Sequence, residues 1–188
     1  MSIEGLERFT AKLGRLEDVD IRIPTSKAIA LVQEAAKSSV RVRTSELRGS
    51  IYIDVRGNEL DARSTCFTNK SYAGYVEFGT GPNGQADHQG ISPNIPVAYR
   101  QTGWMMPASA MSEEEARGYG FGIAKDKEGK IIGYYTKGQP ARPFLYPAMA
   151  DNVEEIIDIY KNMLKKRQEK CNDQCKRSGV CSVIRKAE

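Results

Sequence analysis

"IYIDVRGNELDARSTCFT", residues 51–68, alternates apolar and polar side chains on both sides of a Gly-Asn pair. Ile51, Ile53 and Val55 fall on one face and Tyr52, Asp54 and Arg56 on the other, the period of a strand with one face buried. Gly57-Asn58 predicts a two-residue hairpin turn. Leu60, Ala62, Ser64 and Cys66 carry the alternation into a return strand.

Upstream, the period changes. "TSKAIALVQEAAKSS", residues 25–39, has no Gly or Pro, and Ile29, Val32, Ala36 and Val40 share one helical face. Pro24 suits the start of that helix. Residues 2–17 also show helical spacing, through Ile3, Leu6, Phe9, Leu13 and Leu16. Thr44 is placed to cap a single turn through Leu47, ended by Gly49.

Downstream, Tyr72, Gly74, Val76 and Phe78 alternate with Ala73, Tyr75 and Glu77, predicting a third strand of an antiparallel meander with Val76 and Phe78 inward. Residues 79–107, rich in Gly, Pro, Asn and Gln, read as one long loop. "GYGFGIAK" and "KIIGYYTK" flank "DKEG" as a second hairpin. Met149, Val153, Ile156, Ile157, Tyr160 and Leu164 then form the apolar stripe of a closing helix. Acidic residues early in it (Asp151, Glu154, Glu155, Asp158) and basic ones late (Lys161, Lys165, Lys166, Arg167) complement the helix dipole. The fold class is therefore α+β, with helices on a small antiparallel sheet. One domain is expected over residues 1–166, followed by a basic, disordered tail over residues 167–188.

The chain has 188 residues, 40% apolar and 28% charged, which fits a globular protein with a modest core. No apolar run reaches the roughly 18 residues of a membrane span, and the mixed-charge start lacks a signal peptide's apolar core. The net charge of +4 resides in the tail: residues 165–186 carry eight basic side chains against Glu169 and Asp173.

Each chemical candidate has a plainer reading. "GTGPNG", residues 79–84, resembles a phosphate loop, but no GK[ST] and no helical pattern follow it, and Pro82 removes an amide donor. A turn leaving a strand explains its glycines. His88, the only histidine, sits in a polar loop with no Ser or Cys near it in sequence; Cys66 is its one conceivable partner for hydrolysis. Cys171, Cys175 and Cys181 are too widely spaced for a zinc site without a distant fourth ligand, and read as reduced thiols. Glu113, Glu114 and Glu115 read as a solvated turn or helix start. No catalytic residue, metal or cofactor is assigned. The basic tail could contact DNA non-specifically by counterion release, although it has no aromatic residue for stacking on bases. A small nucleic-acid-binding protein using that tail is the alternative function.

Three stretches occur in one order: "VRTSELRGSIYIDV" after an Ala-rich helix, "YAGYVEFGTG", and "GQPARPFLYPAM" before the closing helix. Together they resemble the head–tail joining, or tail-completion, proteins of tailed phages and prophages, over about residues 25–166. The matching positions are Thr44, Leu47, Arg48, Ser50 and Ile51; Tyr75, Val76, Glu77, Phe78, Gly79 and Thr80; and Pro140, Ala141, Arg142, Pro143, Phe144 and Pro147. The resemblance implies a non-enzymatic virion protein of the neck, assembled in the host cytoplasm. It also implies a ring of identical subunits, commonly sixfold, meeting neighbouring neck or tail proteins. On the residues themselves, Glu77 and Arg142 are candidates for a charge-assisted pair, within the subunit or across a ring interface. Phe144 is expected to anchor the start of the last helix. Asn83 and His88, with the rest of the 79–107 loop, are candidate assembly contacts.

Overall fold

The computed structural model describes residues 20–40 and 45–177, with side chains described as far as residue 170. The helix read over residues 2–17, the cap at Thr44, and Cys181 lie outside the described residues. The fold is α+β, as the two periods predict. The chain forms two compact units, residues 1–68 with 148–188 (unit 1) and residues 69–147 (unit 2), where the sequence reading has one domain.

Unit 1 is built on helix α1 (Arg22–Ser39), which packs on both strands of a hairpin and on the long last helix. Ile29, Val32, Ala36 and Val40 are all buried, and Ala28 joins them. A one-turn helix, α2 (Glu46–Gly49), buries Leu47. It leads into β1 (Ile51–Gly57), paired antiparallel with β2 (Ala62–Thr68) from Ile51 opposite Thr68 to Gly57 opposite Ala62. The turn is longer than the Gly-Asn signal implies. It spans residues 58–61, and the Asn58 side-chain oxygen accepts hydrogen bonds from the backbone N–H of Leu60 (2.9 Å) and Asp61 (2.8 Å). Gln33 on α1 donates to the Ile51 carbonyl at 2.8 Å, tying helix to strand through a polar contact.

The last helix of unit 1, α7 (Val153–Arg177), runs ten residues past Arg167, where the sequence predicts disorder. Lys, Arg, Gln and Glu are good helix formers, so the helix continues beyond the end of its apolar stripe. That stripe also divides. Ile156 and Tyr160 are half-buried, and the Tyr160 hydroxyl lies 2.8 Å from that of Thr25 on α1, whereas Val153, Ile157 and Leu164 are exposed; Met149, also exposed, falls on a separate short helix that ends before the turn at residues 151–152.

Unit 2 holds a three-stranded antiparallel sheet in the order β3-β5-β4, from β3 (Trp104–Pro107), β4 (Gly122–Lys125) and β5 (Ile131–Thr136). The second hairpin, β4–β5, is as read; β3 was hidden in the long loop. Before β4, helix α5 (Glu113–Gly118) opens with a full capping box between Ser112 and Glu115, so the acidic cluster is a helix start. Arg117 pairs with Glu113 at 2.8 Å and, with Lys125 nearby, holds that carboxyl below the usual range.

Two expectations change here. Residues 73–78 form a helix, α3 (Ala73–Phe78), and the predicted third strand is absent. Ala73 and Glu77, four apart, are its buried residues, while Val76 and Phe78 are half-buried. The loop over 79–107 is likewise interrupted, by α4 (Gly81–Ala86) and by β3.

Candidate functional site

The two most specific sequence stretches of unit 2, "YVEFGT" and "QPARPF", lie against each other. Glu77 joins them. Its Oε2 accepts from the backbone N–H of Phe144 (2.7 Å) and Leu145 (3.0 Å), and its Oε1 from that of Tyr146 (2.9 Å). The last two are the first amides of α6 (Leu145–Ala150), which a helix leaves without internal acceptors, and that of Phe144 immediately precedes them. The next residue, Pro147, has no N–H to satisfy. A carboxylate at this end of a helix also meets the favourable pole of the backbone dipoles. Phe144, 1% exposed, sits immediately before α6.

Backbone bonds extend the clamp along both stretches. Thr80 N–H donates to the Gln139 carbonyl (2.9 Å), Asn83 N–H to Lys137 (3.1 Å), Ala141 N–H to Asp87 (2.9 Å) and Arg142 N–H to Val76 (2.8 Å). The Asn83 side chain adds a bond to the Gly138 carbonyl at 3.0 Å. Gly79 and Gly81 have φ of +74° and +60°. A Cβ on Gly79 would stand 2.6 Å from the backbone N of Ala141, so the close approach requires glycine. A short helix does begin inside "GTGPNG", at Gly81, where the sequence reading has no helical pattern, but Thr80 and Asn83 already spend their amides on the carbonyls of Gln139 and Lys137. The phosphate-loop reading therefore loses two of its donors, besides the one that Pro82 lacks.

The expected Glu77–Arg142 ion pair does not form within the chain. Glu77 is 5% exposed with both oxygens engaged by backbone amides, while Arg142 is exposed and bonds Val76 through its backbone. Charge complementarity suggested the wrong partner, because backbone donors carry no residue-type signature.

Beside the clamp lies a groove of about 670 Å³, walled by Tyr75, Phe78, Val97, Tyr99, Arg100 and Trp104. The Tyr99 hydroxyl donates to the Phe78 carbonyl at 2.8 Å, and burial pushes its pKa upward. The Arg100 guanidinium sits 5.6 Å from the Trp104 ring centre, a cation over an aromatic face. Tyr75 is 61% exposed. Such a surface is equipped to grip an apolar or aromatic segment. Sequence reasoning named Tyr75 and Phe78 but missed Val97, Tyr99, Arg100 and Trp104; the cluster of large side chains in "VAYRQTGW" was the available signal.

The remaining candidates scatter. Leu47 and Ser50 are buried in unit 1, where the Ser50 hydroxyl donates to the Leu47 carbonyl (2.8 Å) and meets the Thr68 hydroxyl (2.7 Å); Arg48 is exposed. Thr80, Pro140, Ala141 and Pro143 are partly buried along the clamp. His88 is exposed, its Nδ1 2.7 Å from the Gln85 carbonyl and its ring 5.8 Å from that of Tyr99. Cys66 lies on β2 of unit 1 and His88 in unit 2. Among the described residues, no group of three or more His, Cys, Asp or Glu side chains is placed to hold a metal, and no helix is long and apolar enough to cross a membrane.

Partial burial pushes the Cys66 thiol up, with Lys37 pulling weakly the other way. In a variant with Cys171, Cys175 and Cys181 replaced by Ser, Cys66 is expected to react with iodoacetamide at neutral pH about tenfold more slowly than a free thiol. Its rate should keep rising above the pH at which the free thiol levels off. A rate equal to the free thiol's would contradict the burial argument.

Residues 5–79 match a phage tail-component family. The family is described as "Bacteriophage HK97-gp10, putative tail-component". The matched region takes in α1, the β1–β2 hairpin and α3, and ends two residues after Glu77. It covers less than half of the chain and is consistent with the head–tail joining resemblance of the motifs. At this level the match supports a structural protein of the phage tail. No curated protein and no solved structure matches the chain significantly.

Proposed function

We propose that the chain is a virion protein of the phage neck that completes the tail, assembling as a ring of copies and joining neighbouring neck or tail proteins without catalysis. In this reading the aromatic groove of unit 2 receives the adjacent copy. The observation that carries it is the Glu77 clamp. The last residues of the tail-component match are locked to residues 137–146 by side-chain and backbone bonds, which hold one wall of the groove in a fixed shape. A preorganised aromatic surface with one cation at its edge is the kind that anchors protein–protein contacts.

Deleting the gene from a propagating phage is expected to leave filled heads and finished tails unjoined. Supplying the protein in trans should restore joined particles. The double variant Tyr75→Ala/Arg100→Glu, both at groove-lining positions, should accumulate at the wild-type level yet restore joined particles at least about tenfold less well. Normal particles from the deletion strain would sink the neck reading. Full rescue by the double variant would remove only the groove from it.

A further inference from the structure

We propose that a second copy of this chain docks the acidic first half of its α7 into a basic groove of unit 1, between the start of α1 and the C-terminal half of α7. The groove, about 430 Å³, has Ile23, Ile159 and Met163 among its apolar lining and Lys27, Lys166 and Lys170 among its charged lining. Ile23 is 55% exposed, although it lies in the first turn of α1. None of these lysines has an ion-pair partner among the described residues. Asp20 also lines the groove, but its carboxylate is engaged by Arg22 at 2.8 Å.

The same helix carries a complementary surface. Val153 and Ile157 are 42% and 45% exposed, one turn apart on α7, with the exposed Glu154 and Asp158 beside them. Asp158 pairs with Lys161 at 3.0 Å, whereas Glu154 has no ion-pair partner among the described residues. An apolar pair bordered by carboxylates matches the groove in both apolarity and charge, and a helix seated on i and i+4 anchors is a recurrent way of filling one. A nucleic acid would meet the charge but not the apolar lining, and no aromatic side chain lines the groove for a base to stack on. At about 3.6 residues per turn, Val153, Glu154 and Ile157 point to the opposite side of α7 from the groove-lining Ile159, Asn162 and Lys166. Two copies related by a two-fold axis therefore cannot make both contacts with each other. Each copy gives its acidic face to one neighbour and its groove to another, head to tail, as a ring requires. The inference rests on the reading of the chain as a ring of copies, to which it adds a contact in unit 1.

Zero-length carboxyl–amine cross-linking of an equal mixture of isotopically light and heavy full chain tests the contact. Glu154 and Lys166 stand about 18 Å apart along one helix, so a link between them cannot form within a copy. Links from Glu154 to Lys166 or Lys170 are expected between light and heavy chains, in a ladder of products that extends past the dimer. In sedimentation, Lys166→Glu/Lys170→Glu and Glu154→Lys/Asp158→Lys should each weaken self-association at least about tenfold, and the chain with all four reversals should recover it. The four positions are exposed, so the fold should persist; were a variant not to fold, the wild-type links decide alone. Absence of the Glu154 links, or products that stop at the dimer, would overturn the proposal. Links from Lys166 and Lys170 only to carboxylates of their own copy would assign the groove to the chain itself and overturn it as well. So would protection of these lysines from acetylation by a DNA duplex without any link between copies. The neck reading is judged separately, by the deletion strain: normal particles there would defeat that reading while leaving the links in place, and unjoined heads and tails without the links would defeat this contact alone.

Discussion

Replacing Glu77 with alanine is expected to lower the stability of unit 2 by about 3–5 kcal/mol. The substitution removes the acceptor from three backbone amides at once, those of Phe144, Leu145 and Tyr146. A buried donor left without a partner costs about 1–3 kcal/mol, and bonds to a charged acceptor lie at the upper end. Water reaching the partly buried amides of Leu145 and Tyr146 offsets part of the loss, so the sum stays below three full penalties. Against a typical total of about 5–15 kcal/mol, such a loss brings the unit close to unfolding. Trp104, the only tryptophan, lies in unit 2, so its emission during urea unfolding reports on this unit. Glu77→Gln keeps an acceptor oxygen without the charge and should lose about half as much. A Glu77→Ala midpoint near wild type would show that the carboxylate is dispensable to the helix end.

The second large effect is expected at Gly79. Its φ of +74° costs an alanine about 1–2 kcal/mol, and the added Cβ would press on the backbone of Ala141 and Gln139 at 2.6 and 2.9 Å. Backbone must move to make room, at about 1–3 kcal/mol more. Gly79→Ala should therefore destabilise unit 2 by about 3 kcal/mol, measured by the same tryptophan signal. Gly74, on the helix just before it, is the internal control. A Cβ added there would meet no atom within 4 Å, and alanine should be neutral or stabilising by up to about 1 kcal/mol. Equal effects at the two positions would refute the close-approach argument.

Unit 1 was largely legible because its burial follows a period. Ile29, Val32, Ala36 and Val40 repeat at helical spacing and Ile51, Ile53 and Val55 at strand spacing, and the structure uses both. Residues 73–78 were misread for the opposite reason. Tyr, Val and Phe favour strands, and a carboxylate between two apolar residues looks like the solvent side of one. The helix forms because Ala73 and Glu77 share its buried face, and the acceptors of Glu77 are met by amides 67–69 residues away. Nothing local announces those amides. Strand β3 was invisible because four residues, "WMMP", are too short to display a period, and pairing with β5 supplies its order. The co-occurrence of the two motifs was readable, whereas the bond that joins them was not.

The distance in sequence between Glu77 and Phe144 carries a consequence for how such chains diversify. Once the clamp is closed, everything between its two ends is a loop in the thermodynamic sense. The entropy of closing a loop grows only with the logarithm of its length, so doubling the intervening segment costs about 0.6 kcal/mol. The stretch that bears α4, the three-stranded sheet and α5 can thus be lengthened, trimmed or exchanged at little cost to closure, provided that a glutamate and three amides still meet.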